Sequence, residues 1–228
     1  RYEPVSDSLA AQRSILVRNL CKEFTTADNK VLKAVQGVSL NLYTDQIFCL
    51  LGHNGAGKTT MINMLSGMLP VSSGDAIVYG KSVSKDMRQI RQILGVCPQH
   101  DVIWSDMTVK DHLEFFAKVK GLDSEHVATE VEGLIKDVGL REKQNSLAGT
   151  LSGGQKRRLS TAIALIGGSK VVFLDEPSSG VDPFSRRELW DCLRQKKDGR
   201  TVIMTTHFMD EAEELGDRIA IMAAGQVK

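Results

Sequence analysis

The stretch GHNGAGKT at residues 52–59 decides the fold of this chain. It has the form Gly-x-x-x-x-Gly-Lys-Thr and lies between a continuous apolar run, residues 47–51, and a segment that predicts a helix over residues 60–68. Glycines let the backbone wrap closely around a phosphate, and the amides at a helix N-terminus stabilise its negative charge. The order strand, glycine-rich loop, helix therefore predicts a phosphate-binding loop. A glycine-rich turn with a solvated lysine is the alternative, which this context disfavours.

The lysine and threonine of this loop have defined chemical uses. Lys58 is placed to reach the β- and γ-phosphates of a nucleotide, and the Thr59 hydroxyl to bind Mg²⁺. The nucleotide-binding residues predicted here are Gly52, Asn54, Gly55, Ala56, Gly57, Lys58, Thr59 and Thr60.

A second apolar run, residues 171–174, predicts a strand that ends in Asp175 and Glu176. Open α/β sheets bind ligands at the carboxyl ends of their strands. Asp175 suits Mg²⁺, through water, because that ion keeps much of its hydration shell. Glu176 is placed to polarise an attacking water. Two acids at a strand end have no function in many proteins, but together with Lys58 the catalytic interpretation is favoured.

The segment LSGGQ at residues 151–155 precedes an amphipathic stretch, residues 155–166. Ser152 is a natural N-cap, and the glycine pair at residues 167–168 ends the predicted helix. Lys156, Arg157 and Arg158 crowd the positive end of this helix, where cations normally cost stability. Either a bound anion or acidic neighbours and solvent would compensate them, and the sequence leaves both open.

The remaining pattern predicts one large α/β domain. Residues 1–14 are polar and predict a linker, and residues 15–228 form the domain. Strand patterns alternating with helices favour a mostly parallel sheet in a P-loop NTPase core, with antiparallel strands near the N-terminus. Helical patterns, one opened by a capping box at Thr108 and Asp111, predict a helical subdomain inserted at about residues 104–166.

Composition excludes some classes. With 29 basic and 28 acidic residues, the net charge of +1 gives no broad electrostatic reason to expect nucleic acid as a partner. No apolar run approaches the roughly 18 residues of a membrane helix. The chain starts at Arg1 and lacks a signal-peptide pattern, which fits a processed chain or an excised piece of a longer protein, and the excised piece is favoured.

Residues 151–155 match the signature of ABC ATPases, and the chain resembles an ABC transporter nucleotide-binding domain over nearly its whole length. The resemblance implies that Gln99 senses the γ-phosphate, binds Mg²⁺ and couples to membrane domains. It implies that His207 contacts the γ-phosphate and that Phe24, at a position that is often Tyr, stacks on adenine. The implied catalytic residues are Glu176, His207, Lys58 and Gln99, and the implied Mg²⁺ ligands are Thr59, Gln99 and Asp175. The implied signature acting in trans is Leu151, Ser152, Gly153, Gly154 and Gln155, and the implied D-loop, which crosses to the partner, is Ser179, Gly180, Val181 and Asp182.

By the same resemblance, two such domains close head to tail on two ATP molecules and drive membrane domains between states. The partners are a second nucleotide-binding domain, in the same chain or as a homodimer, and transmembrane domains contacted near Asp106, on the cytosolic face of a membrane. Residues 52–55 and 97–101 are similar to the A subfamily of eukaryotic lipid exporters. The His53 form is similar to the first nucleotide-binding domain of such a transporter.

Two other functions share parts of this pattern. A soluble ABC ATPase of DNA maintenance carries a long coiled coil between the lysine loop and the signature, for which this chain has no room. The translation type has basic linkers, which the neutral charge does not suggest. A regulatory module that binds ATP without turnover is the other possibility, and Glu176 and His207 argue against it.

Overall fold

A computed structural model describes residues 5–228. They form two compact units: the chain up to Arg91 together with Asp198–Lys228, and Gln92–Lys197. In chain order the strands are β1 (Arg13–Thr25), β2 (Val31–Tyr43), β3 (Gln46–Leu51), β4 (Ser73–Val78), β5 (Lys81–Ser82), β6 (Leu94–Cys97), β7 (Val171–Asp175), β8 (Thr201–Thr206), β9 (Arg218–Ala223) and β10 (Gln226–Val227). The α-helices are α1 (Asp7–Ala11), α2 (Lys58–Leu65), α3 (Met87–Ile90), α4 (Val109–Val119), α5 (Ser124–Asp137), α6 (Gly153–Leu165), α7 (Pro183–Gln195) and α8 (Met209–Leu215).

The first unit contains an antiparallel sheet in the order β2-β1-β4-β5, as the sequence predicts for the N-terminal region. Long, twisted β1 and β2 pair along most of their length, with several register shifts. Ile15, Val17 and Leu20 of β1 are fully buried or nearly so. This sheet therefore has one face on an apolar core.

The same unit contains parallel strands with β3 in the centre. β3 pairs in parallel with β8 on one side and with β9 on the other, and β10 is antiparallel to β9. All six residues of β8 are buried, as expected for a strand covered on both faces. The register Leu51↔Thr206 brings the carboxyl ends of β3 and β8 to the same edge.

The second unit pairs β6 with β7 in parallel and packs α6 against both strands; it also contains α4, α5 and α7. Cys97↔Leu174 aligns the carboxyl ends of these two strands. Helix α4 begins at the predicted capping box, in which Thr108 and Asp111 exchange hydrogen bonds. Gly167 and Gly168 have φ angles of 72° and 67°, so the predicted glycine pair does follow the end of α6.

Some elements differ from the expectation. Residues 7–11, within the predicted linker, form α1, because Ser6 accepts a hydrogen bond from the Leu9 amide and caps it; residues 1–4 lie outside the described residues. Helix α2 begins at Lys58 rather than residue 60, since the left-handed Gly57 already serves as its N-cap. Helices α3, α7 and α8 were not predicted. None of the helices within residues 5–228 has both the length and the apolar character of a membrane span.

Candidate functional site

The glycine-rich loop of the first unit runs from the end of β3 to the start of α2. Gly55 and Gly57 have φ angles of 81° and 104°, which side-chain-bearing residues rarely adopt. A Cβ at Gly57 would lie 2.4 Å from the Ala34 carbonyl oxygen, and one at Gly52 would lie 2.3 Å from the Met222 carbonyl oxygen. Backbone from β2 and β9 therefore packs directly against the loop and leaves room only for glycine at positions 52 and 57.

Lys58 is the cation of this loop. Its residue is only 5% exposed, and its Nζ donates to the carbonyl oxygens of Gly52 at 2.6 Å and of His53 at 3.2 Å. The ammonium group therefore lies across the mouth of the loop. Amides in the first turn of a helix have no intrahelical acceptor, so α2 adds donors and its positive dipole end. This donor set fits a nucleotide phosphate.

His207 and Phe24 belong to the same unit as this loop. The Gly52 amide donates to the Thr206 carbonyl oxygen at 3.2 Å, so the exposed His207, the next residue, follows a strand end that adjoins the loop. Phe24 is half-buried in β1 and pairs with Leu32 in β2. Ala34, whose carbonyl oxygen closely approaches Gly57, lies two residues beyond Leu32 in β2. This strand pair is therefore close to the glycine-rich loop.

The second unit brings Gln99, Asp175 and Glu176 to one strand edge. Gln99 is exposed, two residues beyond the end of β6. Asp175 is the last residue of β7 and is 2% exposed, whereas Glu176 is half-buried. Glu176 has a φ of 52°, in the left-handed region. The Arg157 guanidinium donates to backbone carbonyls of both segments.

The LSGGQ segment begins α6. Ser152 accepts a hydrogen bond from the Gln155 amide at 3.3 Å, and the Gln155 side chain accepts from the Ser152 amide at 3.0 Å. Ser152 is therefore the predicted N-cap, in a full capping box. Ser152 and Gly153 are exposed, while Leu151 is buried. A Cβ at Gly154 would lie 3.3 Å from the Gly180 carbonyl oxygen, so the segment packs against residues 179–182.

Residues 179–182 connect β7 to α7. The Ser179 amide donates to the Glu176 carbonyl oxygen at 3.1 Å, and Gly180 is left-handed with a φ of 72°. The Asp182 carboxylate accepts from the Ser185 amide at 3.0 Å and caps α7. Hydrogen bonds from the Ser185 amide and hydroxyl hold the pKa of Asp182 below its usual range. Asp182 is thus an N-cap as well as a predicted D-loop residue.

The structure shows acidic neighbours for two of the three cations of α6, Arg157 and Arg158. Arg157 and Arg158 are 3% and 7% exposed, so their side chains are not available at the helix N-terminus. Arg157 forms an ion pair with Asp101 at 3.0 Å, and Arg158 forms one with Glu188 at 3.3 Å. Acidic neighbours therefore compensate these two residues.

Sequence reasoning missed Arg157 and Asp101 as neighbours of the strand ends that carry Gln99, Asp175 and Glu176. The only signal in the sequence is the cation cluster itself. The spacing between the two residues, 56 positions, carries no local pattern that could have paired them.

Taken together, the glycine-rich loop, the acidic strand end and the LSGGQ helix on this α/β scaffold define an ATP-binding cassette. The chain belongs to the ABC transporter family as an ATPase domain, since the family profile described as "ABC transporter" matches residues 35–179. Among curated proteins it is 50% identical over its full length to the human "Phospholipid-transporting ATPase ABCA3". It is 51% identical, over 94% of its length, to the rat "ATP-binding cassette sub-family A member 17".

The chain covers only 13% and 12% of the lengths of these two relatives. Among solved structures, it is similar to the "Structure of ATP binding subunit of ABC transporter", with a TM-score of 0.84, 23% identity, and 94% of this chain and 88% of that one covered. It is also similar to the ATP-binding cassette MJ0796, in the "Dimeric structure of a post-hydrolysis state" bound to ADP and Pi. There the TM-score is 0.86 at 22% identity, over 94% of this chain and 96% of that one. These likenesses confirm the predicted fold class, and the transporters among the relatives give no support to a soluble ABC ATPase.

Proposed function

We propose that two copies of this domain, or this domain and a sister domain, close head to tail around two ATP molecules and hydrolyse them. The observation that carries the proposal is the glycine loop, which backbone contacts at Gly52 and Gly57 restrict to glycine and which the buried Lys58 ammonium spans. A loop built this way suits phosphate and little else. The MJ0796 cassette, a dimer in a post-hydrolysis state bound to ADP and Pi, supports the same chemistry by similarity.

Each predicted site residue has a proposed role in ATP binding or hydrolysis. Lys58 and the amides of its loop hold the β- and γ-phosphates, and Phe24 stacks on the adenine. Glu176 polarises the attacking water, while Gln99 and His207 contact the γ-phosphate. Thr59, Gln99 and Asp175 supply the hydroxyl, amide and carboxylate oxygens that suit Mg²⁺, which neutralises phosphate charge when it is bound.

The second half of each nucleotide site comes from the partner. Ser152 and Gly153 are exposed at the N-terminus of α6, and a Cβ at Gly153 would meet nothing within 4 Å. Open amides at the positive end of a 13-residue helix suit the γ-phosphate of a nucleotide held by another domain. Residues 179–182 flank this surface and are proposed to contact that partner.

Transmembrane domains are the proposed second partner. Four apolar side chains near the segment beyond Gln99 are exposed: Val102 by 70%, Trp104 by 47%, Phe115 by 44% and Val119 by 65%. Adjacent exposed apolar residues favour a protein contact. The Trp104 ring contacts the Phe115 ring at a centroid distance of 5.4 Å, and Trp104 lies two residues before Asp106, where the sequence predicts that contact. In that arrangement the domain lies on the cytosolic face of a membrane.

The transported substrate is proposed to be lipid, because the human relative is named a phospholipid-transporting ATPase. Two further predictions stay proposals: the domain boundaries at residues 15–228 with a helical subdomain at about 104–166, and an origin as the first nucleotide-binding domain of its transporter.

Light scattering of the Glu176→Gln chain with and without Mg-ATP tests the proposal. This change removes the base and leaves the nucleotide contacts, so we expect ATP-dependent dimers and no turnover. Wild-type turnover should rise faster than linearly with protein concentration. Lys58→Ala is the control and should weaken ATP binding itself. Undiminished hydrolysis by Glu176→Gln would contradict the assignment of the base, and a monomer that binds ATP and stays inert would show that another domain must complete the site.

A further inference from the structure

Arg157 makes an unusual set of contacts for a residue in the first turns of a helix. Its side chain is 4% exposed. The Nε–H donates to the Glu176 carbonyl oxygen at 3.2 Å, and one terminal nitrogen donates to the Asp175 carbonyl oxygen. The other terminal nitrogen donates to the carbonyl oxygens of Pro98 and Gln99 and to the Asp101 carboxylate. One guanidinium thus joins α6, the end of β7 and the segment beyond β6.

The contacts to β7 bracket a strained residue. The Asp175 and Glu176 carbonyls stand on either side of the Glu176 Cα, whose φ of 52° is uncommon for a residue with a side chain. Such conformations persist only where the surroundings over-determine them. Arg157 fixes the peptide group on each side, and the Ser179 amide adds a second donor to the Glu176 carbonyl. The direction of the Glu176 side chain follows from this backbone.

The contacts of Arg157 to residues 98–101 hold the backbone of Gln99, the residue proposed to sense the γ-phosphate. The carbonyls of Pro98 and Gln99 and the Asp101 side chain all accept from the same Arg157 nitrogen. Asp101, whose side chain is 22% exposed, holds that nitrogen by its charge at 3.0 Å. Gln99 and Glu176 are therefore tied to one rigid, planar group.

We infer that Arg157 is a positioning residue for hydrolysis, which holds Glu176 and the Gln99 segment in the arrangement that turnover requires. The inference rests on the proposed function. It does not concern substrate contact, because the buried guanidinium uses its donors on this protein's own carbonyls. The planar shape of the guanidinium matters, because its fixed N–H groups can donate to several acceptors at once. A lysine ammonium carries its charge at a single atom on a flexible side chain and cannot replace this arrangement.

The adjacent Arg158 is a matched control within the same helix. It is also buried, and it also contacts backbone carbonyls and a carboxylate. Its partners, however, are Val138 and Gly139 at the end of α5 and Glu188 in α7, none of which is a predicted site residue. Loss of either arginine removes a buried cation. Only loss of Arg157 removes the hydrogen bonds that hold the segments containing Gln99, Asp175 and Glu176.

Arg157→Lys and Arg158→Lys are to be compared in the 228-residue chain by steady-state ATPase kinetics. For Arg157→Lys we expect kcat to fall by ~10- to 100-fold, because small misplacements of catalytic groups have effects of this order. KM for ATP should stay within about twofold, since the Lys58 loop is untouched. Asp101→Asn, a milder change that keeps the side-chain volume, should lower kcat by less. Arg158→Lys should leave kcat close to wild type in the folded fraction.

Amide hydrogen exchange of the nucleotide-free variants is the second readout and needs no turnover. Arg157→Lys should speed exchange of the amides of residues 99–101, 175, 176, 178 and 179 by about tenfold or more, and Arg158→Lys should not. Equal effects of the two lysine variants, or a wild-type kcat in a folded Arg157→Lys chain, would overturn the inference, as would unchanged exchange. A failure of the proposed function looks different: the wild-type chain would not bind ATP, or would not hydrolyse it even with a partner domain, and exchange would still decide whether Arg157 holds Glu176.

Discussion

At the scale of single residues, the site depends on backbone conformations that the neighbours enforce. Gly57 combines a φ of 104° with close approach of the Ala34 carbonyl oxygen, whereas Gly55 has a φ of 81° and open space at the Cβ position. The two glycines thus separate the cost of a left-handed backbone from the cost of a collision. Glu176 carries a left-handed backbone without being glycine, and the hydrogen bonds on both sides of it compensate the strain.

Gly57→Ala and Gly55→Ala test this distinction. Gly55→Ala bears only the conformational cost of about 1–2 kcal/mol and should still bind nucleotide. Gly57→Ala adds a collision of its new Cβ with backbone at 2.4 Å, so β2 or the loop must move. We expect a larger loss of stability and loss of nucleotide binding, measured by denaturant unfolding and by titration with a fluorescent ATP analogue. Equal affinities for the ATP analogue in the two variants would show that the close approach of the Ala34 carbonyl oxygen to Gly57 does not limit nucleotide binding.

At the scale of elements, two helices begin with the same type of N-terminal cap but have different proposed functions. Helices α4 and α6 both begin with a full capping box, at Thr108 and at Ser152. Only the α6 terminus is proposed to face a nucleotide on the partner. A loss of the cap and a loss of the nucleotide contact can therefore be told apart.

Ser152→Ala and Thr108→Ala should each cost about 0.5–2 kcal/mol of unfolding free energy, because each removes an N-cap oxygen. In the Glu176→Gln background, only Ser152→Ala should also weaken the ATP-dependent dimer, as followed by light scattering against ATP concentration. A Thr108→Ala chain that loses dimerisation to the same extent would show that helix stability, and not the contact in trans, is responsible.

Strand β4 of the antiparallel sheet contains a carboxylate, Asp75, whose ionised form stabilises the folded state. Burial raises the pKa of Asp75, but hydrogen bonds from the Ser82 hydroxyl, the Ala76 amide and the Ser84 amide and hydroxyl outweigh that effect and lower it below its usual range. A pKa that is lower in the folded state stabilises the fold above the unfolded-state pKa, and the stabilisation is lost as pH falls through the folded value.

Thermal unfolding followed as a function of pH tests this contribution. As pH is lowered from about 5 through the folded-state pKa of Asp75, the melting temperature of the wild-type chain should fall more steeply than that of Asp75→Asn. Ser82→Ala and Ser84→Ala, which each remove a donor, should reduce the difference between the curves. Parallel curves for wild type and Asp75→Asn would show that this carboxylate adds nothing to acid stability.

At the scale of the whole molecule, the proposed function requires two domains for each nucleotide. One domain contributes Lys58 and the other contributes Ser152. A homodimer of a chain altered at either residue has two damaged sites. A mixed dimer of the two altered chains combines both changes in one site and leaves the other intact.

Mixing Lys58→Ala with Ser152→Asp therefore tests the shared site. Aspartate caps a helix as well as serine does, so the second change keeps α6 and places a carboxylate against the proposed γ-phosphate position. Each variant alone should be nearly inactive, and the mixture should regain turnover of up to about a quarter of the wild-type rate if dimers form at random and the two sites work independently. Turnover in the mixture that merely equals the mean of the two variants would contradict a site shared between domains.

Much of the candidate site could be predicted from sequence because its chemistry is local. The loop around Lys58, the cap at Ser152 and the acids after β7 each depend on neighbours within a few residues, so their residue types and spacing suffice. Four helices, α1, α3, α7 and α8, were not predicted. Helix α1 has only five residues. Helix α3 has four residues and α8 seven, too short for a periodic pattern, and their stability comes from packing. Helix α7 carries an N-cap at Asp182 followed by proline, a start signal that was not used.

The sequence by itself determined the fold class, the family and the sequence positions that carry phosphate chemistry, since glycine, lysine and carboxylate have few substitutes in those uses. Only the tertiary structure decided what the cations of α6 do. Arg157 and Arg158 pair with acids 56 and 30 positions away along the chain, on other elements. A long, flexible side chain has many rotamers, and which one is populated depends on partners that folding brings within reach. The same holds for Glu176, whose left-handed backbone is maintained by hydrogen bonds from Arg157 and Ser179 and not by its own residue type.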